Sequence, residues 1–243
     1  TGFSFGHAHC FRVREELLRL NERLTGHRLL RGAVVPGGVA GPIATASVAE
    51  AAATVDKLVA EFDEIARLCL DNTTVLERLQ GTGRLSPATA TEMQVVGLVG
   101  RASGIDADVR RDVPFAGYDE TEVRVPMYET GDVWARTMVR LDEVREASRL
   151  IRTTADRRSD GLTRAPLPPL ASGAHAFGLL EAWRGPIWHW AVADGPASLA
   201  RLKVVDPSFR NWPALEYAVL KNIVPDFPLC NKSFNLSYSG NDL

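Results

Sequence analysis

FRVREELLRLNERL, residues 11–24, sets Phe11, Val13, Leu17, Leu18, Leu20 and Leu24 at helical spacing with charged residues between them. One apolar stripe on an otherwise charged cylinder describes a helix that packs against others. Gly26 supplies the stop signal. The same period returns after a gap. A second helix is expected from Thr45 or Ser47, with Glu50 three residues after Ser47 as in a capping box. Its stripe of Val48, Ala51, Val55, Leu58, Val59, Phe62, Ile65 and Leu68 continues through Val75, Leu76 and Leu79 towards Gly81, broken or restarted at Asp71-Asn72-Thr73. Ser86-Pro87 opens a short third helix through about Val96. A fourth runs over about Val133–Thr154, with Val133, Trp134, Met138, Leu141, Val144, Leu150 and Ile151 apolar.

Outside these helices the pattern changes twice. Between Gly100 and Gly131 it lapses into charges, glycines and prolines, over a length that is usually functional or covers something. After a polar, then proline-rich linker at 156–173, the segments Ala176–Ala182, Ile187–Ala193 and Leu199–Val204 read as short strands, with turns at Gly185-Pro186 and Asp194-Gly195. Trp212-Pro213 opens a last short helix to about Asn222, and an irregular tail follows. The expected protein is mainly α with a small α+β C-terminal part. A long-helix bundle over 1–156, with an inserted 100–131 loop, is closed by a strand-containing part over 157–243, the two forming one structural unit.

Composition removes several function classes. With 45% hydrophobic and 24% charged residues the chain is ordinary globular material, not disordered or collagen-like. The 28 basic and 30 acidic residues leave a net charge of −2, so bulk charge gives no reason to expect nucleic acid. Of the basic residues 24 are Arg, the residue suited to buried pairing and interfaces. Cys10, Cys69 and Cys230 are widely spaced without a CxxC, as for free thiols in a reducing compartment. No basic segment precedes an apolar stretch near Thr1, so no signal peptide is expected. Residues 32–49 carry no charge over 18 positions, but Gly32, Pro36, Gly37, Gly38, Gly41 and Pro42 oppose a spanning helix. A buried, irregular connection is expected there, and no transmembrane segment.

Three local clusters invite chemistry. His7-Ala8-His9-Cys10 has ligand-type residues but sits at a helix entry, where the imidazoles diverge, and no second cluster completes four ligands. Pro36-Gly37-Gly38-Val39 lacks both the GxGxxG spacing and the Lys-Ser/Thr end of a phosphate loop, and reads as a tight turn with close backbone packing. The run from Arg101 to Asp112, RASGIDADVRRD, interleaves both signs between apolar flanks. It is read either as a solvated loop or as a buried Arg–carboxylate network, with Arg101, Asp106, Asp108 and Arg110 as the candidate site residues. No GxSxG or convincing acid–base pair points to a hydrolase.

Several stretches together resemble the large subunit of membrane-bound group 4 nickel–iron hydrogenases of the formate-hydrogenlyase type, and its relative, the D-type quinone-site large subunit of respiratory complex I. They are FRVREELLRLNERLTG (11–26), PGGV (36–39), GTGRL (81–85), VGRASGIDADVRRDVPFAGYD (99–119), EAWRGPIWHWAVADG (181–195) and SFRNWPALEYAVLKNIVPDFPL (208–229). RASG followed by Asp108-x-Arg110, Pro114 and Gly117-Tyr118 is the most specific of them. The resemblance implies a hydrogenase large-subunit-like helical bundle and a subunit of an NADH:quinone- or formate-hydrogenlyase-type oxidoreductase. It implies an iron–sulfur cluster in a small partner subunit, membrane subunits, a quinone-like electron acceptor, and a peripheral place on the cytoplasmic face of the membrane.

In such hydrogenases two CxxC pairs hold nickel, because thiolates bind it strongly and tolerate its redox change. Ser237 and Gly240 occupy the C-terminal cysteine positions here, and the other pair would lie upstream of Thr1. No metal is therefore expected in this chain. A histidine that lies near the partner's cluster in complex I falls at Leu30, whereas Arg28 matches its nearby arginine. Two functions stay open: a subunit shaping an acceptor cavity without a nickel–iron centre, and a catalytically silent scaffold of such a complex. An authentic hydrogenase requires a different alignment over 235–240. By the same resemblance, the 101–119 loop and the 233–240 tail should meet at the emptied metal cavity. An apolar or Arg-rich surface near Trp183, Trp188, Trp190 and residues 36–42 should remain exposed.

Overall fold

The computed structural model describes residues 2–157 and 162–243. Ten α-helices and five strands occur in the order α1 (Ser4–Thr25), β1 (Val34–Val35), β2 (Gly38–Val39), α2 (Thr45–Leu70), α3 (Thr73–Leu79), α4 (Pro87–Glu92), α5 (Gly97–Arg101), α6 (Val109–Asp112), α7 (Val133–Asp156), β3 (His175–Ala182), β4 (Gly185–Gly195), β5 (Ser198–Val205), α8 (Pro207–Val219), α9 (Phe227–Phe234) and α10 (Tyr238–Asn241) among the described residues. This is the helix-rich architecture with a small C-terminal sheet that the sequence predicts. Two compact units divide it: 2–72 with 144–168, and 73–143 with 169–243, so α7 contributes to both.

In the first unit α1 packs on α2 through Val13, Leu58 and Ile65, with Cys10 against them. Arg12 donates to Glu61 at 2.6 Å. Two residues of α7 close on α2 from the same unit: Ser148 donates to Asp56 at 2.6 Å and Arg145 pairs with Asp63 at 2.9 Å. Helix α1 begins seven residues before the apolar stripe does, so His7, His9 and Cys10 lie within it and not at its entry. The His7 ring lies 4.6 Å from Phe11 and the His9 ring 4.3 Å from Phe5. These are ordinary contacts one turn apart. Helix α2 has Ala44 at its N-cap, which puts Ser47 inside the first turn, so the capping-box reading fails.

The 32–49 connection is not buried. It forms a two-stranded hairpin with Val34 opposite Val39, and Val34 is 80% exposed. The close packing expected of its glycines does occur. A Cβ on Gly38 would stand 2.2 Å from the Thr163 carbonyl oxygen, to which the Val39 N–H donates at 3.0 Å. Residues 158–161 of the expected linker lie outside the described residues.

The second unit holds the larger core. Leu85, Leu98, Val99, Ala102, Ala135, Val139, Leu215, Cys230, Phe234 and Leu236 are buried in one cluster. Strands β3, β4 and β5 form an antiparallel meander, with Leu179 opposite Trp188 and Trp188 opposite Val205. Helix α8 starts five residues before Trp212. Asp206 is its N-cap, accepting from the Ser208 N–H at 2.8 Å, and Pro207 fills the first turn, where a missing N–H costs nothing. The tail expected to be irregular contains α9 and α10. Both are short helices, below the length at which periodicity is readable.

Gly131 fixes the entry to α7. Its φ is +64°, and a Cβ there would lie 1.8 Å from the Leu85 carbonyl oxygen, while the Leu85 N–H donates to Gly131 O at 2.9 Å. Gly81 also has positive φ, at +72°, but open space beside it. Gly131→Ala should therefore destabilise by about 3 kcal/mol or more, adding backbone displacement to strain, whereas Gly81→Ala should cost about 1 kcal/mol. Denaturant unfolding of the two variants checks this; equal losses would contradict it.

Candidate functional site

Helix α5 is buried along its whole length and ends on Arg101, which is 1% exposed. A buried guanidinium needs counter-charge, and it is surrounded by it. One terminal nitrogen donates to Glu181 of β3 at 3.0 Å and to the Ala107 carbonyl at 3.2 Å, and lies 3.4 Å from Asp108. The other donates to Glu143 of α7. Asp108 is also the N-cap of α6. It receives the Arg110 N–H at 3.0 Å and the Arg110 side chain through two bonds of 2.9 and 2.6 Å. The Val109 N–H donates to the second Glu181 oxygen at 3.2 Å. Three carboxylates thus share two guanidiniums. Burial pushes the Glu181 carboxyl up, against the Arg101 charge, which favours its ionised form.

Beside the network lies a cavity of about 160 Å³, walled by Val95, Ile105, Val109 and Pro186, with Asp108 and Glu181 at its polar side. Of the four sequence candidates, Arg101, Asp108 and Arg110 converge here. Asp106 does not: its half-exposed side chain pairs with Arg111 at 2.6 Å. Glu143 and Glu181 were missed. Glu181 carried a signal, as an acidic residue within an apolar strand, but the fold alone brings Glu143 to Arg101.

The tail shares the buried core with α5, since Phe234 and Leu236 lie in one cluster with Leu98 and Ala102. Ser237 is the N-cap of α10: its hydroxyl accepts from the Gly240 N–H at 2.9 Å, and its own N–H donates to the Ser208 hydroxyl at 2.9 Å. Gly240 is buried against Asp206, and a Cβ there would be 2.7 Å from the Asp206 carboxyl carbon. The Ser237 hydroxyl closes on α10 and its N–H on α8, while Arg101 takes its partners from its own loop, β3 and α7. A nickel ion held by thiolates does not fit these residues. The Ser237 oxygen is committed to a cap, Gly240 offers no donor, and Asp206 fills the space a cysteine side chain would need. Among the described residues no group of three or more His, Cys, Asp or Glu is arranged to hold a metal ion. Arg28 pairs with Glu15 at 2.7 Å, and Leu30 is half-exposed with φ +57°.

Exposed apolar groups are plentiful on this unit, including Phe177, Trp183, Trp188, Leu202 and Val224. Among the described residues no helix is long and apolar enough to cross a membrane.

Residues 1–171 match the model of the respiratory-chain NADH dehydrogenase 49 kDa subunit, and the chain belongs to that family. It is 32% identical over 248 residues to formate hydrogenlyase subunit 5 of Escherichia coli, covering all of this chain and 42% of that protein. It is 33% identical over 237 residues to the carbon monoxide-induced hydrogenase of Rhodospirillum rubrum, covering 97% and 65%. With NADH-quinone oxidoreductase subunit 4 of Thermus thermophilus it shares 31% over 245 residues, covering 90% and 60%. The chain thus spans between 42% and 65% of the length of these relatives. Its fold matches a chain of the membrane-bound sulfane sulfur reductase, an archaeal respiratory membrane complex, with a TM-score of 0.87 at 26% identity, over 96% of this chain and 65% of that one.

The raised Glu181 carboxyl has a pH signature. The folded state holds its proton above the ordinary unfolded value of about 4.3, so this group's contribution to stability falls as pH rises from there through the folded value. The stability difference between the wild type and Glu181→Gln should therefore shrink with rising pH across that window. A difference that grows, or stays flat, would contradict the assignment.

Proposed function

We propose that the chain is the large-subunit part of a membrane-associated oxidoreductase complex, and that it shapes a quinone-like acceptor cavity beside an iron–sulfur partner subunit without a nickel–iron centre of its own. Family membership supports the subunit role, and the relatives' names place such subunits in hydrogenases and NADH-quinone oxidoreductases. The observation that carries the nickel-free reading is the seat of Gly240 on Asp206, with the Ser237 hydroxyl turned inward as a helix cap. The exposed aromatic groups Trp183 and Trp188 suit an interface in which the chain is covered by partners, membrane subunits among them. Its place is then peripheral, on the cytoplasmic face of the membrane.

In this reading the partner's cluster supplies electrons and the quinone accepts them together with protons. The contribution of this chain is electrostatic. Arg101 and Arg110 both contact Asp108, and burial raises Glu181, which leaves it as the group able to hold a proton beside the cavity. The cavity walls are largely apolar, and the lower local dielectric beside them strengthens each of these interactions.

Elemental analysis and quinone-reduction assays of the purified complex test the proposal. Substoichiometric nickel with quinone-dependent electron transfer is expected. Glu181→Gln should lower the rate about tenfold or more and alter its pH profile, while leaving the complex assembled. Stoichiometric nickel, or an assembled complex without quinone-dependent transfer, would overturn it, the second result leaving a scaffold.

A further inference from the structure

Three guanidiniums gather on α7 and the loop after β3 with no acid bound to them. Among the described residues, Arg136, Arg140 and Arg184 form no ion pair with a carboxylate. Arg136 is fully buried and donates to the Gly131 carbonyl at 2.7 Å, the Gly83 carbonyl at 2.8 Å and the Ser233 hydroxyl at 2.9 Å, and its guanidinium lies 4.4 Å from the centre of the Phe234 ring. Arg140, one turn on, donates to the carbonyls of Arg136 and Ser233. Arg184 donates through its Nε to the Asn235 carbonyl at 2.6 Å. The last two flank one indole: their guanidinium carbons lie 5.9 and 4.4 Å from the Trp183 ring centre, and Trp183 is 48% exposed.

Carbonyl dipoles orient these cations but do not neutralise them. The acids nearby are otherwise engaged: Glu143 is bound to Arg101, and Asp132 accepts from the Ala135 and Gly81 N–H groups at 2.8 Å each. Burial lowers Arg136 to about 9 and Arg140 to about 10. The Arg140 charge adds to the first shift and the Arg184 charge to the second, against the attraction of Asp132 and Glu143. Clustered positive charge without a counter-ion is costly, and it is relieved by an anion that reaches the half-buried pair. Among the described residues both terminal nitrogens of Arg184 and the Nε of Arg140 have no hydrogen-bond acceptor, so donors remain for it.

We propose that Arg140 and Arg184, on either side of the exposed Trp183, form a binding site for a phosphate-type oxyanion. Guanidinium forks match such an anion in pairs of parallel hydrogen bonds, and the indole holds the Arg184 plane by stacking. The same chemistry is offered by free phosphate and by a phospholipid headgroup, and two probes separate them.

The full chain would be titrated with inorganic phosphate at ionic strength fixed by chloride, read by phosphorus NMR line broadening. It would also be floated with vesicles of phosphatidylglycerol, with phosphatidylcholine as control. Saturable phosphate binding that weakens about tenfold or more in Arg184→Gln assigns a free oxyanion. Capture by phosphatidylglycerol alone, lost in the same variant, assigns the lipid phosphate. Arg184→Gln keeps an N–H donor in reach of Asn235, and Arg140→Gln provides a second test, each checked for an unchanged circular dichroism melt. If neither probe distinguishes the wild type from either folded variant, the site does not exist.

Discussion

The Arg101 guanidinium is taken out of water at the end of a buried helix, and three carboxylates from three different segments are drawn to it. Desolvating such an ion costs several kcal/mol, and here the three carboxylates must offset it although the buried Arg101 Nε finds no acceptor. Here Asp108 comes from the next turn of chain, Glu143 from α7 and Glu181 from β3. None of these segments satisfies Arg101 alone. Within this unit the charge therefore ties the long helix, the sheet and the 101–112 segment to one arrangement. It also gives the cavity its polar side, because Asp108 and Glu181 face both the guanidinium and the open space.

Much of this is legible in the sequence. Long amphipathic helices announce themselves by their stripe, and the strands of the meander by a change of period. The strand bounds shift by one or two residues, taking the expected turn residues Gly185-Pro186 and Asp194-Gly195 into β4, whereas α1 starts seven residues before its stripe. What periodicity could not show were the short helices, α8's true start and the helical tail, because these are set by caps such as Asp206-Pro207 and Ser237. At the site, the mixed charges of 101–112 between apolar flanks pointed to a buried network, and Arg101, Asp108 and Arg110 are in it. Asp106 was indistinguishable from Asp108 by type or neighbours; only the α6 N-cap position, facing inward, separates them. Glu143 lies 42 residues from Arg101 and Glu181 lies 80, so no local pattern could connect them.

The C-terminal tail is held by its own caps and packing. A serine that caps its own helix and a glycine pressed against a carboxylate have no free donor, yet they close α10 firmly onto α8. Asp206 serves twice, capping α8 and filling the space beside Gly240. A side chain at 240 would press on Asp206, the residue that caps α8.

The central claim, that Arg101 and its carboxylates act as a single unit, is tested most directly by a double-mutant cycle on Arg101→Gln and Glu181→Gln, read as unfolding free energy. Residues in one buried network couple, so the double variant should lose at least about 1.5 kcal/mol less than the sum of the singles. Additive losses within about 0.5 kcal/mol would contradict the claim, because they would mean that Arg101 does not need Glu181 to be buried.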